Sequence, residues 1–189
     1  QRKTVIIGTN QYPNLNENML EEIQKTPSRE EVPSTYKKLK RYRGPEGFES
    51  LRMETEKRMK SGNQKPRVFL LTIGNPAMRK ARATFATNFF GCAGFEIIDN
   101  AGFKTAKEGI AAALESKAGF VVICSSDEEY ATLVPAIASG IKSAGMKTKV
   151  IVAGYPKEIL EELKKAGVDD FIHIRSNVLE TLKKYQSEL

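Results

Sequence analysis

Tryptophan is absent, histidine occurs once, and only two cysteines are found among the 189 residues. Cys92 and Cys124 share neither a Cys-x-x-Cys spacing nor a nearby histidine, so the sequence predicts no disulfide framework and no zinc site. The one histidine, His173, would have to reach Cys92, Cys124 or a serine to build a catalytic pair, and nothing in the pattern brings it there. No apolar run approaches the roughly 18 residues of a membrane span, and the first residues carry too short an apolar run for a signal peptide. A cytoplasmic protein is expected. Neither a Gly-x-Gly-x-x-Gly fingerprint nor a P-loop follows the run Val68 to Gly74, which disfavours dinucleotide and triphosphate binding. The first residue is Gln1 rather than methionine, from which a longer parent polypeptide is expected.

What is present is basic and unevenly so. The net charge is +7, but residues 1–66 hold 14 basic and 9 acidic residues against 16 and 14 in the rest. Basicity thus belongs to the N-terminal third. The run Tyr36-Lys37-Lys38-Leu39-Lys40-Arg41-Tyr42-Arg43 interleaves cations with aromatics, as a nucleic-acid site would, although such a run more often makes a solvated or partner-facing strip. Glu128-Glu129 and Asp169-Asp170 read as exposed charge without further metal ligands.

From Arg67 onward short apolar runs alternate with helical patterns. Strands are predicted at 68–73, 95–98, 120–124, 150–154 and 171–174, with helices over about 78–91, 105–116, 127–142, 157–165 and 177–187. Pro135 lies inside the third of these helices as an expected kink, with Ser126 or Asp127 as its cap. Strands that alternate with covering helices make a doubly wound five-stranded parallel sheet of the α/β flavodoxin-like (Rossmann-like) class, order 2-1-3-4-5. Ligands of such sheets sit beyond the carboxyl ends of the strands, near the switch point. Residues 1–66 are expected to be an extended arm: Thr4 to Ile7 as a lone strand joining a sheet supplied from elsewhere, a proline-rich middle, and a helix over Glu46–Lys60 with the stripe Phe48, Leu51, Thr55 and Met59. The arm lies on another surface, and a hinge at 61–66 leads into a domain of residues 67–189.

The loop Thr72-Ile73-Gly74-Asn75-Pro76-Ala77-Met78-Arg79-Lys80-Ala81, together with Ala86-Thr87-Asn88-Phe89-Phe90 and Thr132-Leu133-Val134-Pro135-Ala136, resembles the cobalamin-binding domain of methylmalonyl-CoA mutases. That family carries Asp-x-His-x-x-Gly after its first strand, where the histidine ligates cobalt, the aspartate orients it and the glycine admits the corrin. Here those positions are Pro76, Met78 and Ala81. Proline offers no carboxylate, and a thioether is no substitute for a basic nitrogen. Two further landmarks are eroded. The family's Ser-x-Leu motif, which helps to house the nucleotide tail, is Ser125-Ser126-Asp127, and its Gly-Gly pair, which makes room for dimethylbenzimidazole, is Ala153-Gly154. Read without the family, Ser125 and Ser126 are helix caps and Gly74 and Gly154 strand-end turns. The likeness extends to Lys3 to Pro13, similar to the segment after the substrate barrel, and to Glu46 to Arg52, similar to the linker helix.

The resemblance implies the C-terminal part of the small, non-catalytic subunit of an adenosylcobalamin-dependent methylmalonyl-CoA mutase. It implies no catalytic residues, metal or cofactor in this chain, with Gly74, Pro76, Met78, Ala81, Ser125, Ser126, Ala153 and Gly154 as vestigial pocket positions. Adenosylcobalamin would reside in a homologous large catalytic subunit, the partner in a heterodimer, and the chain alone could self-associate. Two other readings stand beside this one: a module that holds cobalamin without a histidine ligand, and a nucleic-acid-binding protein acting through the basic arm.

Overall fold

In the computed structural model, which describes residues 4–24, 43–145 and 147–189, the sheet is the one the alternation predicts. Strands β1 (Arg67–Thr72), β2 (Glu96–Ile98), β3 (Phe120–Cys124), β4 (Lys149–Ala153) and β5 (Asp170–Ile172) run parallel in the order β2-β1-β3-β4-β5. The register pairs Val68 with Phe120 and Val121 with Val150, so the most apolar strand, β3, lies at the centre. Both faces of the central strands are covered, which is why they read as unbroken apolar runs rather than as alternation.

Successive residues of each strand feed two separate cores. Val68, Leu70, Phe120 and Val122 face helices α3 (Pro76–Gly91) and α7 (Val178–Ser187). Phe69, Leu71, Val121 and Ile123 face α4 (Ala106–Ser116), α5 (Asp127–Ser143) and α6 (Leu160–Lys165). The crossover after β1 therefore covers one face and that after β2 the other, leaving the switch point between β1 and β3. At the other end of the sheet Phe90 is wholly buried and stacks on Tyr185 and Phe95, at 5.8 and 6.1 Å between ring centroids.

Most bounds shift by one or two residues from those expected, and two differences have a visible local cause. The helix predicted near 157–165 is divided into a 3₁₀ turn, Lys157–Ile159, and α6, because Ile159 leaves helical geometry at φ −119°. The fifth strand ends at Ile172, so His173 lies outside it: the Ser176 hydroxyl accepts the His173 N–H at 3.0 Å and turns the chain out of the ladder. Among the described residues no helix is long and apolar enough to cross a membrane.

The arm packs on its own domain. Helix α2 (Glu46–Lys60) has the predicted bounds, with Leu51 and Thr55 buried and Met59 42% exposed. Leu51 joins the α3/α7 core, the Thr55 hydroxyl donates to the Ala93 carbonyl at 2.8 Å, and the Gln186 amide donates to the Leu51 carbonyl and to Thr55 at 2.7 and 2.8 Å. Ahead of it, the N–H groups of Met19 and Leu20 in the short helix α1 (Met19–Gln24) both donate to the Glu56 carboxylate at 2.8 Å. The buried Arg52 guanidinium donates to Glu17 at 2.5 Å and to the Asn14 carbonyl. Pro13 and Leu15 lie so close to Gly91 that a methyl group there would come within 2.6 Å of Leu15. The strand expected at Thr4 to Ile7 does not form: Asn10 accepts the Ile6 N–H and donates to the Thr4 carbonyl, both at 2.9 Å, and folds the segment into a turn at Gly8, φ +79°. The basic run at 36–43 lies, but for Arg43, outside the described residues.

Candidate functional site

At the switch point the chain leaves β1 through Gly74, whose φ of +79° suits a residue without a side chain. Asn75 then caps α3, its side-chain oxygen accepting the N–H groups of Ala77 and Met78 at 3.0 and 3.2 Å, and Pro76 fills the first helical position, where no N–H is needed. From β3 the chain passes through the buried Ser125 and Ser126 into α5, whose third residue is Glu129. The Glu129 carboxylate turns back over the crevice. It accepts the Ser125 hydroxyl at 2.6 Å, the Ser126 hydroxyl at 2.9 Å and N–H at 3.3 Å, and the Asn75 N–H at 3.0 Å. One carboxylate thus closes a capping box on α5 and ties the β1 loop to the β3 loop. A Cβ at Gly74 would stand 2.3 Å from that carboxylate and 2.5 Å from the Ser125 hydroxyl. The charge expected to be merely exposed at Glu129 is the structural centre of the switch point.

Hydrogen bonds from Ser125, then Asn75 and Ser126, hold the Glu129 carboxyl at about 2, below its ordinary 4.5, against a smaller opposing effect of burial. A depressed folded-state value contributes stability that is present in full above the ordinary value and lost as pH falls. The melting temperature is therefore expected to fall as pH drops from 4.5 toward 2. In Glu129→Gln it should be lower at neutral pH and flatter across that window; parallel pH profiles for the two proteins would contradict this role.

Between β3 and β4 the edge is filled by Tyr130. Its wholly buried ring lies against Gly154, where a Cβ would approach it and the Asp127 carboxylate to 2.9 Å. Its hydroxyl donates to the Ala153 carbonyl at 2.8 Å and accepts the Ser125 N–H at 3.3 Å. Burial pushes that phenol far above its usual range. Asp127 pairs with Arg82 of α3 at 2.9 Å.

Five of the eight predicted positions, Gly74, Ser125, Ser126, Ala153 and Gly154, converge on Glu129 and Tyr130. The other three, Pro76, Met78 and Ala81, are exposed along α3, with Met78 38% accessible. A corrinoid bound through a lower histidine does not fit these residues: Met78 offers only a thioether, Pro76 no acceptor, and the crevice and the β3/β4 slot hold the chain's own side chains. Among the described residues no group of three or more His, Cys, Asp or Glu could hold a metal ion. The His173 ring lies 4.6 Å from that of Tyr155 at a tilt of 40° and accepts the Arg175 N–H, while burial and the Arg175 charge lower its pKa. Cys92 and Cys124 are buried in the core. Sequence reasoning missed Tyr130 and Arg82, and read Glu129 and Asp127 in other roles. Only Glu129 carried a signal, the Ser126-x-x-Glu129 spacing of a capping box.

Over 189 residues, 99% of its length, the chain is 43% identical to the methylmalonyl-CoA mutase small subunit of Porphyromonas gingivalis. The chain is a homologue of methylmalonyl-CoA mutase small subunits. It is 33% identical over 155 residues to the small subunit from Streptomyces virginiae, and 31% identical over 188 residues to a probable small subunit of Mycobacterium tuberculosis. The chain spans 29%, 24% and 28% of these small subunits, respectively, covering 99%, 82% and 100% of its own length. No family model matches the chain. Similar solved structures include the receiver domain of the putative response regulator NarL from Mycobacterium tuberculosis (TM-score 0.45, 11% identity, 67% of this chain and 100% of that one). A response regulator from Thermotoga maritima is also similar (TM-score 0.46, 20% identity, 66% and 99%).

Proposed function

We propose that this small-subunit homologue is a cofactor-free α/β domain with a structural role in a methylmalonyl-CoA mutase. A large catalytic subunit would hold adenosylcobalamin and interconvert methylmalonyl-CoA and succinyl-CoA, and this chain would support the heterodimer without taking part in the chemistry. The observation that carries the reading is the switch point itself. Ser125 and Gly154, the residues retained from a cofactor pocket, are bonded to or packed against Glu129 and Tyr130, so what remains of the pocket serves stability.

Titration of the 189-residue chain with hydroxocobalamin, followed by absorption and calorimetry, is expected to give no saturable change at micromolar concentrations. Stoichiometric binding would overturn the proposal, and a spectrum with dimethylbenzimidazole still on cobalt would establish instead a module that needs no histidine. Co-expression with a large mutase subunit tests the partner: the two are expected to co-purify. Steeply salt-dependent binding to random-sequence DNA or RNA would favour a nucleic-acid role.

A further inference from the structure

On the far side of α3 from Tyr130, a groove of about 540 Å³ opens beside the carboxyl ends of β1 and β2. It belongs neither to the crevice spanned by Glu129 nor to the β3/β4 slot, and its volume is that of a small-molecule site. Its floor is fixed by Asn100, whose amide accepts the Thr72 hydroxyl at 2.5 Å and the Gly102 N–H at 3.0 Å and donates to the Leu70 carbonyl at 2.5 Å. Its rim carries Arg79. That guanidinium donates to the carbonyls of Ala101 and Gly74, at 3.1 and 3.4 Å, and lies against Gly102, where a Cβ would come within 2.4 Å of Cζ. Gly102 has φ +103°, so conformation and space both call for glycine there.

Among the described residues Arg79 is thus held in place by neutral carbonyls alone, those of Ala101 and Gly74. Among the described residues no carboxylate pairs with it or with its neighbour Lys80 on the same wall. Thr84 and Thr87, one turn apart along α3, add hydroxyls to that wall, and Asp99 stands across from them. Two unpaired cations match a dianion better than a single carboxylate. The hydroxyls and Asp99 suit a body that bears hydroxyls of its own. We propose that this groove binds a small phosphomonoester with a hydroxylated body, of the sugar-phosphate class. Arg79 and Lys80 take the phosphate, and Asp99, Thr84 and Thr87 take the hydroxyls.

The chain is small enough for amide chemical-shift titration with ribose 5-phosphate, inorganic phosphate and ribose as separate probes. Ribose 5-phosphate is expected to give saturable shifts centred on Lys80, Thr84, Thr87 and Ala101. Lys80→Ala, an exposed helix position, should weaken binding by about tenfold, the loss of one charge-assisted hydrogen bond. Asp99→Asn should weaken it too, whereas a gain in affinity would mean that Asp99 only repels the ligand and would overturn its assignment. The proposal fails if no saturable shift appears up to about 10 mM, a concentration far above that of a specific site. It fails equally if inorganic phosphate binds as well as ribose 5-phosphate, or if Lys80→Ala leaves the affinity unchanged.

Discussion

Tyr130→Ala is expected to destabilise the chain by about 3–5 kcal/mol, the range for removing a wholly buried aromatic side chain. The ring fills the slot beside Gly154, and its hydroxyl is bonded at both ends of the gap between β3 and β4, so the substitution leaves a cavity together with an unpaired Ala153 carbonyl and Ser125 N–H. Tyr130→Phe keeps the ring and removes the bonds, and is expected to cost about 1–3 kcal/mol. Urea unfolding with a shared m-value separates the two effects. Equal losses in both variants would show that the hydroxyl alone matters, and a loss below about 1 kcal/mol in the alanine variant would show that the slot is not closed by packing. The cavity is also informative about function. With the slot emptied but Met78 and Pro76 unchanged, hydroxocobalamin is still expected not to bind, because the lower ligand is missing regardless of the space. Binding by Tyr130→Ala would make the tyrosine, rather than the lost histidine, the decisive obstacle.

The parts of this structure that could be read from sequence are those where one physical demand acts alone. Val68 to Leu71 and Phe120 to Cys124 are apolar throughout because both faces of a central parallel strand are covered, and the two strands lie where these runs predict them. The start of α5 was legible for a similar reason, since a cap at Ser126 answers a demand of the helix end alone. Glu129 and Tyr130 were not, because their roles depend on partners 54 and 23 residues away, Asn75 and Ala153. A glutamate at the start of a helix is ordinary surface charge until a second loop is brought over it. The arm was misread on the same account. Thr4 to Ile7 has the composition of a strand, but the Asn10 side chain, four residues beyond Ile6, satisfies the backbone locally and removes the need for a sheet.

The boundary at residues 66 and 67, natural in the sequence, cuts through the core, and we expect a chain that begins at Arg67 to lose cooperative unfolding. Helix α2 supplies Leu51 to the cluster around Phe90 and Tyr185, lays Gly47 against Leu179 and bonds Thr55 to the Ala93 carbonyl. Gln186 loses both of its partners when α2 goes. Truncating Leu51 alone to alanine would cost about 2–5 kcal/mol. Adding the exposed apolar face beneath it brings the loss to the order of the 5–15 kcal/mol that a whole domain has to spare. A chain that begins at Arg43 keeps α2 and loses Glu17 and the Asn14 carbonyl from around Arg52, whose charge can then turn to water. That shorter deletion should unfold cooperatively at a modestly lower temperature, while the longer one should bind a hydrophobic dye and melt without a sharp transition. Equal stability of the two truncated chains would place α2 outside the folding unit and restore the boundary to where the proline-rich segment and the hinge first suggest it.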